Sequence, residues 1–191
     1  MSPDVREKIL SAAEKRMMTF GYRKVLVDEI ARDLAMSKNT IYKHFQSKTD
    51  IAILLFERLK IRINKNQQDV QARTSDPLEI IYQNVSFLQK ELSPWFEHFL
   101  SDIKQELPAL WDDFTAFRAE KILEIEDLVK EGIQRTEFRP IDPAMAVRVF
   151  LGAVEKCTNP EVLQNENVSF QKVLENVLDI WSNGIKMPPK P

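Results

Sequence analysis

Apolar positions recur with a helical period from one end of the chain to the other. Val5, Ile9, Ala12, Ala13, Met17 and Phe20 predict an amphipathic helix over 4–20, ended at Gly21. Ile30, Ala31 and Leu34 form one short apolar face and Ile41 and Phe45 another, with Ala35-Met36-Ser37 between them. That spacing predicts two short helices joined by a tight turn, the second capped by the Ser37 hydroxyl. Ser47 is placed to cap a long helix whose stripe runs through Ile51, Leu54, Leu55, Arg58, Leu59, Arg62 and Ile63, reaching at least Asn66. Asp76-Pro77 opens the next helix, with Leu78, Ile81, Val85, Leu88 and Leu92 on one side and Ser93-Pro94 as its stop. Further helices are predicted from Trp95 to Ile103, from Pro108 through Ile133, from Pro143 through Val154, and from Ser169 to Asn183, with a turn and polar loop over 159–167. The expectation is an all-α fold of about nine helices, divided into a three-helix head (1–47), a linking helix (48–74) and a larger helical body (75–191). Four glycines in 191 residues, and prolines at segment starts, agree with helices rather than hairpins.

Charge sharpens this picture. The net charge is −2, but residues 1–75 carry 15 lysines and arginines against 9 acids, and residues 76–191 carry 12 against 20. Only the head and the linking helix are built to meet a polyanion. Between Asp33 and Asp50 there is no acid, while Lys38, Asn39, Thr40, Tyr42, Lys43 and His44 occupy the outer side of the second short helix. Donors for phosphates beside short polar groups for base edges are what a helix entering a DNA groove needs. Lys48 falls in the first turn of the long helix, where a cation opposes the helix dipole unless a phosphate lies nearby.

The run Gly21-Tyr22, Ile30-Ala31, Ser37-Lys38-Asn39-Thr40-Ile41-Tyr42-Lys43-His44-Phe45 and Lys48 resembles the amino-terminal domain of TetR-family (tetracycline-repressor-like) transcriptional regulators. The resemblance covers roughly the first third of the chain and implies a helix-turn-helix DNA-binding domain, with Ser37, Lys38, Asn39, Thr40, Tyr42, Lys43, His44 and Lys48 as DNA contacts. Three positions depart from it. Val25 and Leu26 stand where the family has a hydroxyl residue, and Ala35 stands where it has glycine in the turn. If Ala35 must adopt positive φ, the cost is roughly 1 kcal/mol.

Six of the 17 aromatic residues (Trp95, Phe96, Phe99, Trp111, Phe114, Phe117) fall within 23 positions. They either fill a core or line a cavity. The resemblance implies an inducer pocket between the linking helix and the helices after it, so a largely apolar small-molecule effector is expected among these six and Phe56, Leu59, Phe87 and Phe150. It also implies a homodimer on a palindromic operator, with Val147, Leu151, Val154, Phe170, Val173, Leu174, Val177, Leu178 and Trp181 at the interface. The alternative is that the broad apolar surface of the last helix packs within one chain. A second class of function is a ligand-free helical DNA-binding protein controlled by a protein partner or acting as a nucleoid-associated adaptor.

Catalysis and cofactors find no pattern. The chain has two histidines, His44 and His98, one cysteine, Cys157, and no Gly-rich phosphate loop, Cys pair or His-x-x-x-His, so neither a metal, a cofactor nor an enzyme is expected. A lone cysteine reads as core filler. With no run of 18 apolar residues and no signal-peptide pattern, the expectation is a cytoplasmic protein outside the membrane.

Overall fold

The structure is a computed structural model that describes residues 4–96, 98–157 and 160–187, with the side chains of residues 93, 96, 160, 161 and 164 excepted. The Phe96 side chain and Asn159, which fall in the expected aromatic set and the expected turn, lie outside the described residues. Ten helices follow in order: α1 (Val5–Phe20), α2 (Val27–Asp33), α3 (Lys38–Tyr42), α4 (Lys48–Gln71), α5 (Pro77–Phe96), α6 (Phe99–Glu106), α7 (Pro108–Gln134), α8 (Pro143–Cys157), α9 (Pro160–Asn165) and α10 (Phe170–Ile185). The only extended pairing among the described residues is an isolated bridge between Phe138 and Lys186. None of the described helices is long and apolar enough to cross a membrane.

Two boundaries differ from the expectation. Between the expected turn at 159–160 and the expected polar loop at 164–167 the chain forms a six-residue helix, α9, which takes in the first two loop positions and is opened by Pro160, whose fixed φ suits a first helical position. Pro94 lies inside α5 rather than ending it. Near a helix end a proline forfeits one backbone bond, and continuing for two residues places Trp95 in the interior, 2% exposed. The polar end of α4 is also regular helix as far as Gln71.

Contacts divide the chain into two compact units, one of residues 1–62 with 91–117 and one of residues 63–90 with 118–191, so the units cut across the 47/48 and 74/75 boundaries. In the first, Ile9, Leu10, Ala13 and Met17 of α1 are buried with Ile30 and Ala31 of α2 and Ile41 and Phe45, forming the core of the head. Arg16 ties α1 to α2 through an ion pair with Asp33 and a longer one with Glu29. Deeper in the same unit, Phe56 meets Phe114 and Phe117 with ring centroids 5.8 and 6.1 Å apart, and Trp95 meets Phe99 edge-on at 4.9 Å.

In the second unit, Ile81, Val85, Val129, Val147, Phe150, Leu174, Leu178 and Trp181 make one core. Trp181 lies 5.2 Å from Phe150, and its indole N–H donates to the Ala146 carbonyl at 2.8 Å, so α10 is pinned along α8 by both packing and a satisfied buried donor. Gly132 sits within α7 because the Phe138 ring lies against it, in the space a Cβ would take.

Candidate nucleic-acid interface

The head's local geometry follows from its capping residues. The Leu26 N–H donates to the Glu29 carboxylate at 2.9 Å, so Glu29 supplies the N-terminal acceptor that Leu26 lacks. At the other end of α2, the Met36 N–H donates to the Ala31 carbonyl (2.9 Å) and the Ala35 N–H to the Arg32 carbonyl (3.1 Å). This is the Schellman pattern, whose pivot residue is left-handed. The pivot is Ala35, with φ 51°. Ser37 then caps α3, its hydroxyl accepting from the Thr40 N–H at 3.1 Å and lying 2.9 Å from the Thr40 hydroxyl. With Ile41 and Phe45 turned inward, Ser37, Lys38, Asn39, Tyr42, Lys43 and His44 are exposed and Thr40 is half-buried. One continuous polar surface results, as the pattern predicted.

Two charges are placed differently from the sequence picture. Lys38 is not bare: its ammonium is 3.0 Å from the Asp28 carboxylate of α2, which raises the Lys38 pKa above its ordinary value. An acid therefore does reach this surface, although none lies between Asp33 and Asp50 in sequence. Lys48 is turned toward the protein. Its ammonium donates to the carbonyls of Tyr22 (2.9 Å) and Val25 (3.1 Å) and lies 4.2 Å from the centroid of the Tyr22 ring. Burial lowers its pKa. Those carbonyls supply the negative partner that the helix dipole denies it, so the unfavourable placement of Lys48 needs no phosphate to account for it. Ser47 and Asp50 form the cap of α4: the Asp50 N–H donates to the Ser47 hydroxyl, and the Asp50 carboxylate accepts from the Gln46 and Ser47 N–H groups.

The loop that Lys48 holds is gripped from the other side by α6. The Arg23 N–H donates to Asp102 at 2.8 Å, and the Arg23 guanidinium reaches Glu106 (3.1 Å) and Gln105 (2.6 Å). Gly21, at φ 86°, leaves no room for a Cβ, which would stand 2.5 Å from an Asp102 oxygen. Asp102 and Glu106 are thus engaged with Arg23 of the head.

The described members of the expected pocket set fall in both units. Phe56, Leu59, Trp95, Phe99, Phe114 and Phe117 are buried together in the first unit, with Trp111 stacked 5.5 Å from Phe114, whereas Phe150 is in the core of the second. A small cavity of about 40 Å³ lies within the second unit instead, lined by Ile63, Ile81, Val85, Phe87, Ile125 and neighbouring residues of α4, α5 and α7. Phe87 alone comes from the expected set. Polar groups meet there too: Asn66 donates to Asn84 (3.2 Å), and Lys121 donates to Gln67 (3.0 Å) and Glu124 (2.8 Å). Sequence gave no warning of them, since amides spaced along a long helix read as solvent-facing.

Of the expected interface residues, Val147, Leu174, Leu178 and Trp181 are interior to their own chain, and Leu151, Val154, Phe170, Val173 and Val177 are half-buried. The apolar surface left outside includes Val149 on α8, 59% exposed, and Ile180 on α10, 73% exposed. Ile180 is three residues beyond Val177, which was the available signal for it. Cys157 is exposed at the end of α8, not core filler. Among the described residues no cluster of three or more His, Cys, Asp or Glu could hold a metal.

Comparison with known proteins bears on the same segment. Residues 9–55 match the family described as "Bacterial regulatory proteins, tetR family". The chain is 24% identical over 160 residues to the "Uncharacterized HTH-type transcriptional regulator YvaF" of Bacillus subtilis, spanning 83% of this chain and 84% of that protein. It is 22% identical over 183 residues to the "Fatty acid metabolism regulator protein" of the same organism, spanning 93% and 94%. Among solved structures, a putative transcriptional regulator from Saccharomonospora viridis in complex with choline superposes with a TM-score of 0.80 at 19% identity, over 96% of this chain and 98% of that one. The fatty acid degradation regulator FadR from Bacillus halodurans does so with a TM-score of 0.69 at 19% identity, over 95% and 96%.

Proposed function

We propose that this chain, which belongs to the tetR family of bacterial regulatory proteins and is a helix-turn-helix transcription regulator, acts in the cytoplasm as a homodimeric repressor released from a palindromic operator by a small, largely apolar ligand. The observation that carries the reading is the capped α3, whose exposed side is formed by Lys38, Asn39, Tyr42, Lys43 and His44 while Ile41 and Phe45 anchor it to the head core. In each subunit α3 enters the major groove of one half-site. Asn39 and Thr40, early on the helix, read base edges; Tyr42, Lys43 and His44 grip phosphates, while Lys38 is held against Asp28. Lys48 serves as the pin that sets the loop before α2.

Dimerisation uses the outer sides of α8 and α10. Val149 and Ile180, with the half-buried Val173 and Val177, offer apolar area that the chain itself leaves uncovered. The ligand enters between α4, α5 and α7, where the cavity is walled by isoleucine, valine and Phe87 with a few amides. Two related proteins are named as fatty acid regulators and one similar structure holds choline, which supports small organic effectors. The cavity is small enough that a ligand must spread the helices around it, and that movement is the means of release: a ligand bound to the spread form disfavours the head spacing that fits the operator.

A gel-shift titration on the DNA flanking the protein's own gene, repeated with a panel of acyl and quaternary-ammonium compounds, tests both halves. Retarded bands with a stoichiometry of two chains per site support the repressor; no retarded band at micromolar protein refutes it. The closely packed aromatics favour one other reading, a regulator without a small-molecule ligand and controlled by a protein partner. It is supported if the DNA binds but no compound changes either operator affinity or melting temperature.

A further inference from the structure

The head carries four acids between residues 21 and 50: Asp28, Glu29, Asp33 and Asp50. Three of them hold the fold. Glu29 accepts from the Leu26 N–H, Asp33 pairs with Arg16, and Asp50 accepts from two N–H groups ahead of α4. Asp28 differs: its carboxylate is engaged by the Lys38 ammonium at 3.0 Å, and both side chains are about half exposed, 53% and 49%. As a stabilising pair at an exposed site it contributes little. Its location is what matters, because it spends the charge of the first residue of α3 on a carboxylate and leaves that carboxylate facing whatever α3 faces.

We propose that Asp28 is a specificity-determining residue that weakens binding to DNA in general by sequestering Lys38 and repelling phosphates. This rests on α3 being the groove-entering helix. On non-cognate DNA the head gains phosphate contacts alone, so one cation withheld is felt in full. On the operator, Lys38 held against Asp28 is kept clear of the base edges that Asn39 and Thr40 read, so a Lys38 released to a phosphate disturbs that register and gains less there than on non-cognate DNA. A repulsive element that costs the wrong partner more than the right one is a general route to discrimination. It suits a head and linking helix that together carry six surplus positive charges over residues 1–75, which would otherwise bind any duplex strongly.

Asp28→Asn keeps the shape and removes the charge. Freeing Lys38 for one more phosphate steepens the salt dependence by about 0.9 and, at 0.1 M salt, tightens non-specific binding about eightfold. The assay is fluorescence anisotropy from 50 to 300 mM salt on two probes: poly(dI-dC), and the duplex most enriched by the wild-type protein from a random 30-base-pair library. The expected result is an approximately eightfold gain on poly(dI-dC), less than twofold on the enriched duplex, a wild-type slope in Asp28→Glu, and no gain from Asp28→Asn in a Lys38→Ala background. An unchanged slope on poly(dI-dC), or an equal gain on both probes, overturns the inference. The poly(dI-dC) arm needs no operator. It therefore decides whether Asp28 withholds Lys38 from phosphates even where selection yields no consensus, an outcome that would count against the palindromic operator and against a specificity role for Asp28 together. Asp28→Ser, measured in parallel, guards against a local defect peculiar to asparagine.

Discussion

Replacing Ala35 by glycine should make the head more stable, and the size of the gain follows from the turn. Ala35 is the left-handed pivot of a Schellman closure, at φ 51°, where an L-residue with a Cβ pays about 1–2 kcal/mol. Its methyl is exposed, so removing it uncovers no packing. Glycine gives back about 0.5–1 kcal/mol through the greater freedom of the unfolded chain. The net expectation is a gain of about 0.5–1 kcal/mol in the head. Because the chain divides into two units, the probe must be local: hydrogen exchange of amides within 27–45 under conditions where opening is a rapid pre-equilibrium, so that the rate reports the free energy of opening, read beside a urea titration. Operator affinity should stay within about twofold, since both flanking hydrogen bonds use backbone atoms. A second site checks the reasoning independently. The Glu137 N–H donates to the Gly132 carbonyl and the Thr136 N–H to that of Ile133, both at 3.0 Å, so α7 ends in the same closure with Thr136 as pivot at φ 60°. Thr136→Gly should stabilise the second unit in the same way. If Ala35→Gly slows no exchange, or speeds it, the assignment of strain to this turn is wrong.

Three other outcomes are expected. Lys48→Met should destabilise the head by about 1–2 kcal/mol, through the carbonyls of Tyr22 and Val25 left without their donor, and leave the salt slope of DNA binding unchanged; a slope shallower by about one unit would show instead that Lys48 holds a phosphate. Ile180→Asp should dissociate the proposed dimer, since burying that side chain would contribute about 2 kcal/mol per subunit and two-fold symmetry counts it twice, or roughly a thousandfold in Kd by analytical ultracentrifugation; an unaltered Kd would count against an interface at α10. Gly132→Ala, which in an open helix would stabilise by about 1 kcal/mol, should lower the melting temperature of the second unit, because the new methyl must displace the Phe138 ring.

Residue types and their spacing determined most of the head by themselves. The 3.6-residue recurrence of Ile9, Ala13 and Met17, the hydroxyl of Ser37 and the glycine at 21 are local signals, and local hydrogen bonding obeys them: α1 spans the expected residues to within one, and α3 begins directly after its Ser37 cap. The family resemblance, which has glycine in the turn between α2 and α3, marked Ala35 as the position strained by a left-handed backbone, and its φ is 51°. Periodicity falls short wherever partners are distant in sequence. It marks Trp181, Leu178 and Ile180 alike as apolar, but only the packing of α10 along α8 turns the first two inward and leaves Ile180 outside. It registers an excess of aromatics over 95–117, yet whether they enclose a cavity depends on how the rings of Phe56, Phe114 and Phe117 meet. Charge is hardest to place, because a side chain of several rotatable bonds chooses its partner in space. Lys48 turned to the carbonyls of Tyr22 and Val25, and Asp28, ten residues before Lys38, came within 3.0 Å of its ammonium. Those choices belong to the tertiary structure, and they decide which cations of a basic head remain free for DNA.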